Sequence, residues 1–474
     1  MPSLSDLPKV CPSDLPKVCP SDLPKVCLSD LPALSDLPKV CPSALPGMTR
    51  YIGSQTEVKP YTGIVNINPL IQRKVILLAT AVISEENLFS NGLFQNVYVF
   101  YRMFEAMGHL PLMIVNKKPD SMEKIPWYMR DLRLISIEEL ATNPIPVKLY
   151  IEVGMSIDKQ MRKFLKMCGA RIAKLYLGNI LNIDIETPIF YPTMHFAHHV
   201  IGELDDIWVS PHYAQHAEYA RALNHIDIHK KEPMVVPYVW DSQILLGGGD
   251  RNFQWRPPAG EKETFLILEP NISFQKSSLI PLMILEAWYR EHKPWNGEVI
   301  VINGERLLLI PFFKETIWKN LDIVKDGKVT MRGRTDILSL LKEFPSGMPV
   351  CHQWNNEYNY MVLEYFITGY PVMHNASDWK DYGYYYPDSD IEAGAKLVET
   401  IRKTHSENIN VYRGHARALA WRHSPFNPDV QRIWGKIIDE VPSIETKDGL
   451  EASKEASKEA SKDSLAASKD ADKA

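Results

Sequence analysis

Two carboxylates, Glu357 and Glu364, stand seven residues apart within Asn355 to Asn375 (NNEYNYMVLEYFITGYPVMHN). At about 100° per residue that spacing returns to nearly one face of a helix two turns on, so the pair has the makings of an acid/base couple. Lys276 closes the stretch Glu269-Pro270-Asn271-Ile272-Ser273-Phe274-Gln275-Lys276, which follows an apolar run and precedes a helical pattern. A lysine beside helix N-terminal amides makes a phosphate site. Arg332 and Arg334, in Met331-Arg332-Gly333-Arg334-Thr335, follow another strand-like run and would add positive charge at the same edge; the plainer alternative is solvated surface cations. The histidines cluster, with His195/His199 and His212/His216 each four apart and His198 between. A two-histidine metal face needs a completing carboxylate, and neither an HExxH motif nor an obvious third ligand is present. His225-Ile226-Asp227-Ile228-His229 alternates like a strand face, and Asp388-Ser389-Asp390 has the bare DxD form within a Tyr/Pro/Asp-rich loop. Gly247-Gly248-Gly249 lacks the spacing of a dinucleotide fingerprint.

The elements that would hold these residues alternate in type. Lys74 to Thr80 reads as a buried strand, QNVYVFYRMFEAMGH as a helix closed by Gly108, and Leu110 to Val115 as a second strand, which is a β-loop-α-β unit of a parallel sheet. Strands are expected at Val147–Val153, Arg171–Tyr176, Ile207–Val209 and Met234–Val236. A second series starts at Thr264–Leu268. It continues through a helix at Leu279–Tyr289, strands at Glu298–Asn303 and Val329–Met331, a helix at Asp336–Phe344 and a strand at Met348–His352. In the stretch that carries the two glutamates, Met361, Val362, Phe366 and Ile367 supply an apolar helix face. Gly369 fits a helix C′ position, and Pro371 prevents continuation. Between the two series, Leu245 to Glu263 is rich in Gly, Pro and charge and reads as an interdomain linker. The expected fold class is therefore α/β, with two doubly wound Rossmann-like domains facing a cleft, at 70–245 and 264–410. C-terminal helices at 411–440 would return to the first domain.

Composition narrows the function classes. The chain has 474 residues, 45% of them hydrophobic, and a formal net charge of −5, so no global basic field invites nucleic acid or an anionic membrane. Four of the six cysteines lie in a Ser-Asp-Leu-Pro-Lys-Val-Cys-Pro repeat at 1–47, leaving Cys168 and Cys351 in the body. That is no disulfide framework, and a reducing, cytoplasmic setting is the default. No apolar run is long enough for a transmembrane helix. The N-terminal repeat and the Glu-Ala-Ser-Lys repeat within 450–474 read as extended, solvated tails.

Several of these pieces resemble, in order, the motifs of GT-B glycosyltransferases of the glycogen-synthase-like retaining group. Leu363 to Asn375 (LEYFITGYPVMHN) is similar to that family's LEAMACGTPVVA; Asn91-Gly92 and the helix to Gly108-His109 resemble its acceptor loop and "GHEV" strand entry. Asp206 to Ser210 resembles "aDxVixvS", Val236 to Asp241 "viPNGVD", and Asn271 to Lys276 a degenerate "GRLxxxKG". The resemblance spans about 75 to 420, and the Trp-rich forms place the chain nearest a divergent subfamily. It implies a metal-independent transferase that moves a sugar from a nucleotide-sugar donor to a glycan or glycoprotein acceptor, with no cofactor.

Carried over residue by residue, Glu364 matches the second glutamate of the E-x7-E motif, on the nucleotide ribose. The first falls at Asn356, with Glu357 adjacent: either Glu357 replaces it on the donor sugar by a one-residue slip, or the Asn356 amide makes that contact. Lys276 matches the lysine on the donor diphosphate, and the partnering arginine aligns near Asn271, with Arg332 or Arg334 as compensation. His195 takes the place of a histidine near the reacting sugar, and Asn91 and Gly92 belong to the acceptor loop. The departure at Asn356 keeps open a catalytically inactive glycan-binding or structural protein, and the shared fold keeps open a nucleotide-sugar 2-epimerase. The tails are similar in style to those of proteins from large algal DNA viruses, which would place the protein in a host cytoplasm.

Overall fold

The computed structural model describes residues 74–79, 89, 92–115, 117–143, 145–153, 157–190, 204–226, 235–247, 252–260 and 262–439. Both repeats, Asn91 and the histidines His195, His198 and His199 lie outside these residues.

The N-terminal sheet contains β1 (Val75–Ala79), β2 (Leu110–Val115), β3 (Leu134–Ser136), β4 (Leu149–Glu152), β5 (Arg171–Tyr176) and β6 (Asp206–Val209). All pairings are parallel and the spatial order is β3-β2-β1-β4-β5-β6. That order reverses direction at β1/β4, the switch point of a doubly wound sheet. The strands are almost continuously apolar because helices cover both faces. On one face lie α1 (Gly92–Ala106) and, from the far end of the chain, α12 (Pro428–Asp439). On the other lie α2 (Ile137–Thr142), α3 (Lys159–Met167) and α5 (Ala217–Leu223). The helix α4 (Ile180–Phe190) follows β5. Local signals set the ends: Gly108 adopts φ +83° just beyond α1, and Ser136 and Glu139 form a reciprocal capping box on α2.

The C-terminal sheet contains β7 (Glu263–Ile267), β8 (Gly297–Val301), β9 (Val329–Met331) and β10 (Met348–Pro349), in the order β10-β7-β8-β9. A parallel bridge between Val350 and Met373 attaches β11 (Met373–His374), which pairs with β12 (Tyr384–Tyr385). Counted from its own first strand, this domain repeats the order 3-2-1-4-5-6. Its helices include α7 (Leu279–Glu291), α8 (Asp322–Lys325), α9 (Ile337–Glu343), α10 (Tyr360–Ile367) and α11 (Ile391–Arg422). A short helix, α6 (Gln243–Leu246), lies in the connection between the domains. The two Rossmann-like sheets of the expected fold class are thus present.

Four details differ from the sequence reading. The strand expected at Met234–Val236 is a single bridge between Val235 and Val209. The stretch read as a linker is anchored: Trp255 is buried in the C-terminal core, and its N–H donates to Thr368 O at 3.0 Å. Its apolar rings outweigh the Gly/Pro content around them. His225 sits at φ 57° in the turn that ends α5, so it does not continue a strand face. The boundary drawn at 410 falls inside α11, a continuous helix of 32 residues. Beyond α11 the chain crosses over, and Trp434 of α12 packs edge-on against Phe100, Phe104 and Trp208 of the N-terminal domain.

Candidate functional site

The carboxyl end of β7 opens into the Glu269–Ser278 loop, which Asn271 braces. Its backbone sits at φ 53°, a conformation asparagine tolerates better than most residues. Its Nδ2 donates to Glu269 O at 3.0 Å and Ser278 Oγ at 2.8 Å, and its Oδ1 accepts Ser278 N–H at 2.8 Å. Asn271 therefore shapes the loop, and its amide is occupied where the sequence reading gave it a donor contact. Leu279 N–H is bonded to Ser277 Oγ and Pro281 has no N–H to offer, so most of the α7 N-terminus is satisfied by the chain itself.

Lys276 is half-buried in this loop. Burial pulls its ammonium pKa down while the charge on Glu269 holds it up. Glu269 is fully buried: its Oε1 accepts His352 N–H at 3.0 Å and its Oε2 accepts Gln353 Nε2. Burial pushes this carboxyl up to about 8, against the backbone N–H of His352, the charge of Lys276 and the Gln353 amide. From Glu269 a polarised chain runs to the other domain. Asn356 Nδ2 donates to Gln353 Oε1 at 2.8 Å, and Tyr213 OH, from the turn after β6, donates to Asn356 Oδ1. Every member donates in the same direction, toward the carboxylate, an arrangement in which each bond strengthens the next.

The same seam holds His212. Its ring stacks on Tyr358 at 4.3 Å and 19°, and burial, aided by the charges of His216, Lys276 and His423, lowers its pKa to about 3. It is neutral at physiological pH, with a buried Nδ1 that makes no hydrogen bond. Glu357, next to Tyr358 in sequence, is half-buried, its pKa raised by burial and by the charge of Asp378. Two more bonds tie the domains: Asn179 Nδ2 donates to Asn355 O, and Phe274 N–H donates to Glu186 Oε1 at 3.2 Å.

Glu364 faces a different part of the seam. It is buried on α10, and Gln95 Nε2 of α1 donates to its Oε1 at 2.8 Å. Burial raises its pKa to about 7 despite that bond. Gly92, at the start of α1, lies flat on the Tyr360 ring: a Cβ built there would stand 2.1 Å from two ring carbons. The Glu357/Glu364 face does not form, because α10 begins only at Tyr360, capped by Asn359 Oδ1 on Met361 N–H at 3.1 Å. Glu357 stays in the loop. Gly369, at φ +83°, ends the helix.

A family described as "Protein of unknown function (DUF2827)" matches residues 77–438. The chain belongs to this family. No curated protein matches it in sequence. Among solved structures, the chain is similar to a glycosyltransferase from Rickettsia africae ESF-5 (13% identity, TM-score 0.46, 77% of this chain and 98% of that one). It is also similar to HepE of Anabaena in complex with UDP and glucose (10%, 0.46, 77% and 100%). A third is the sucrose-phosphate synthase of Thermosynechococcus elongatus (14%, 0.41, 78% and 97%).

Of the site residues read from sequence, this family member brings Lys276, Asn356 and Glu357 into one seam, and it places Gly92 and Glu364 together a helix away. Arg332 is turned aside: its guanidinium pairs with Glu343 at 2.8 Å and lies over the Phe344 ring. Arg334 is exposed after β9. The DxD form resolves into a cap, with Asp390 accepting Ala393 N–H at 2.9 Å at the start of α11. Sequence reasoning misses Glu269, Gln353, Tyr213, His212 and Gln95 as members of the site. Glu269 carries a usable signal, an acid ending an apolar strand at its carboxyl edge. Gln95 and Tyr213 carry none, since their roles arise from partners in the other domain.

Proposed function

We propose that the chain is a glycosyltransferase of GT-B type. It moves a sugar from a nucleotide-sugar donor to a glycan or other acceptor, without a metal ion and with retention of configuration. The observation that supports this reading best is the position of Lys276. It stands at the carboxyl end of the first strand of a doubly wound sheet, where such folds bind ligands, and on the seam with a second sheet of the same order. A departing diphosphate would meet a half-buried ammonium whose charge is weakly screened, and that favours the transition state more than the ground state. Neutral His212, stacked on Tyr358, and half-buried Glu357 would supply hydrogen bonds to sugar hydroxyls. UDP, the nucleotide in the HepE complex, is the first to test.

A second reading is favoured by Asn356. Both of its amide atoms are engaged by Tyr213 and Gln353. In that reading the seam binds a nucleotide sugar without transferring it. The test is a thermal-shift series with UDP, GDP and their sugars on the full chain and on Lys276→Met, followed by assay of released diphosphate with and without glycan acceptors. A ligand that binds only the native state raises the melting temperature. Stabilisation lost in Lys276→Met, with acceptor-dependent release, supports transfer; stabilisation without release supports the second reading. No stabilisation by any nucleotide refutes both.

A further inference from the structure

A carboxylate is out of place beside a phosphate-binding lysine, because it neutralises the ammonium and repels the phosphate. Glu269 stands in that position. One asparagine ties the two residues together: Asn271 N–H donates to Lys276 O at 2.9 Å, and its Nδ2 donates to Glu269 O at 3.0 Å. The Glu269 side chain is fully buried. An ionised carboxylate is costly in such a place, and protonation relieves the cost. The hydrogen-bond chain that ends on Glu269 accommodates a proton without losing a bond. Tyr213, Asn356 and Gln353 each donate toward the carboxylate. Gln353 and Asn356 are primary amides, and turning both over exchanges donor for acceptor at each link. Glu269 O–H then donates to Gln353 Oε1, Gln353 Nε2 to Asn356 Oδ1, and Asn356 Nδ2 to the Tyr213 oxygen. The His352 N–H stays on Oε1 in both arrangements. The same heavy atoms therefore serve an ionised and a neutral Glu269.

The titratable groups that act on Glu269 are Lys276 in its own loop, Cys351 and His352 after β10, and Tyr386 after β12. Burial keeps the thiol and the phenol protonated and lowers the His352 pKa to about 4, so these three are neutral at pH 7. Lys276 supplies the charge that bears on the carboxyl, and burial still raises the Glu269 pKa to about 8. We propose that Glu269 is a positioning residue of the nucleotide-sugar site: it holds a proton while a diphosphate is bound, so that the Lys276 ammonium answers the phosphate instead of a neighbouring carboxylate. The inference rests on the transferase reading above and adds a linked proton to it. Below about pH 8 the carboxyl is already neutral, and above it the arriving diphosphate must bring a proton in.

The experiment reads the carboxylic-acid band of Glu269 by infrared spectroscopy on the full chain, as the wild-type spectrum minus that of Glu269→Gln. Glutamine keeps the shape and both kinds of hydrogen bond, and a melting curve checks that the variant folds. The band should be present at neutral pH, fade at about pH 8, and persist to higher pH when UDP or inorganic pyrophosphate is added. One linked proton with that midpoint lowers the wild-type affinity for UDP roughly tenfold between about pH 7 and pH 9, and Glu269→Gln should lose less. A difference spectrum with no acid band at neutral pH overturns the inference, as does a band that neither ligand moves. An equal fall in affinity in both proteins also overturns it, assigning the titration to Lys276 itself. Should Glu269→Gln not fold, the bound-minus-free spectrum of the wild type above its midpoint decides alone: a gain in the acid band supports the inference, and no gain overturns it. If nucleotides bind and the band stays where it was, only this inference falls. If pyrophosphate moves the band and no nucleotide binds, the transferase reading falls and the diphosphate site stands.

Discussion

Replacing Glu364 with glutamine should make the protein progressively more stable than the wild type as the pH rises. Burial raises the Glu364 carboxyl from its ordinary value to about 7. The native state therefore holds a proton that the unfolded chain has released, throughout the interval from about pH 4.5 to 7. Stability falls with pH wherever the native state binds more protons than the unfolded one. The contribution of protonated Glu364 is complete below about pH 4.5 and is lost as pH passes 7. A shift of about 2.5 units corresponds to about 3 kcal/mol in all, of which about 2 kcal/mol falls between pH 5.5 and 8.5. Glutamine does not titrate. Its amide can also keep the contact, because Gln95 Oε1 is buried without a partner and becomes an acceptor when the Gln95 amide turns over. The intercept is therefore of little interest and the slope carries the test. Thermal melts of both proteins at pH 5.5, 7.0 and 8.5 should show the gap widening in favour of Glu364→Gln by roughly 4–8 °C for a unit the size of one domain. Parallel pH dependences would refute the argument, showing that Glu364 ionises in the native protein as it does in water.

Other perturbations probe the seam and the crossover. Gly92→Ala places a methyl group about where the Tyr360 ring lies, so the ring must turn away or α1 and α10 must part; a lower melting temperature is expected, and an unchanged one would count against the contact. Tyr213→Phe removes the donor at the head of the chain that ends on Glu269, leaving Asn356 Oδ1 buried and unsatisfied; a loss of about 1–3 kcal/mol in urea denaturation is expected. Trp434→Ala empties the space among Phe100, Phe104 and Trp208 and should cost about 3–5 kcal/mol in N-terminal domain stability, read by hydrogen exchange in β1 and β2.

The parts of the site fixed by neighbouring residues are legible in the amino-acid order. Lys276 follows an apolar strand and precedes a helix, and α10 carries its own apolar face and a left-handed glycine stop. Those are local patterns with local causes. The partners of these residues are not legible there. Gln95 meets Glu364 across 269 positions of sequence, and that pairing is decided by how two separately packed domains fit together. The same distinction explains the misread pair. Seven residues of spacing give Glu357 and Glu364 one helical face, but Asn359 caps the helix between them. A short polar side chain that bonds Met361 N–H starts α10 there and leaves Glu357 outside. Asn271 is misplaced for a related reason: its position in a loop suits a ligand, while its left-handed backbone and amide bonds serve the turn.

The crossover of α12 bears on how the protein is made. A chain emerging from the ribosome normally completes its first domain before the second is translated. Here the apolar face that α1 and β6 present to Trp434 has no cover until residues beyond the whole C-terminal domain have been synthesised. The first domain is thus the first to begin folding and among the last to finish. In the interval an uncovered strip around Phe100, Phe104 and Trp208 is open to water, and chaperones would have most to do there. The finished molecule gains from the same arrangement: a single proteolytic cut between the domains would leave two fragments held together by a helix encoded in one and packed into the other.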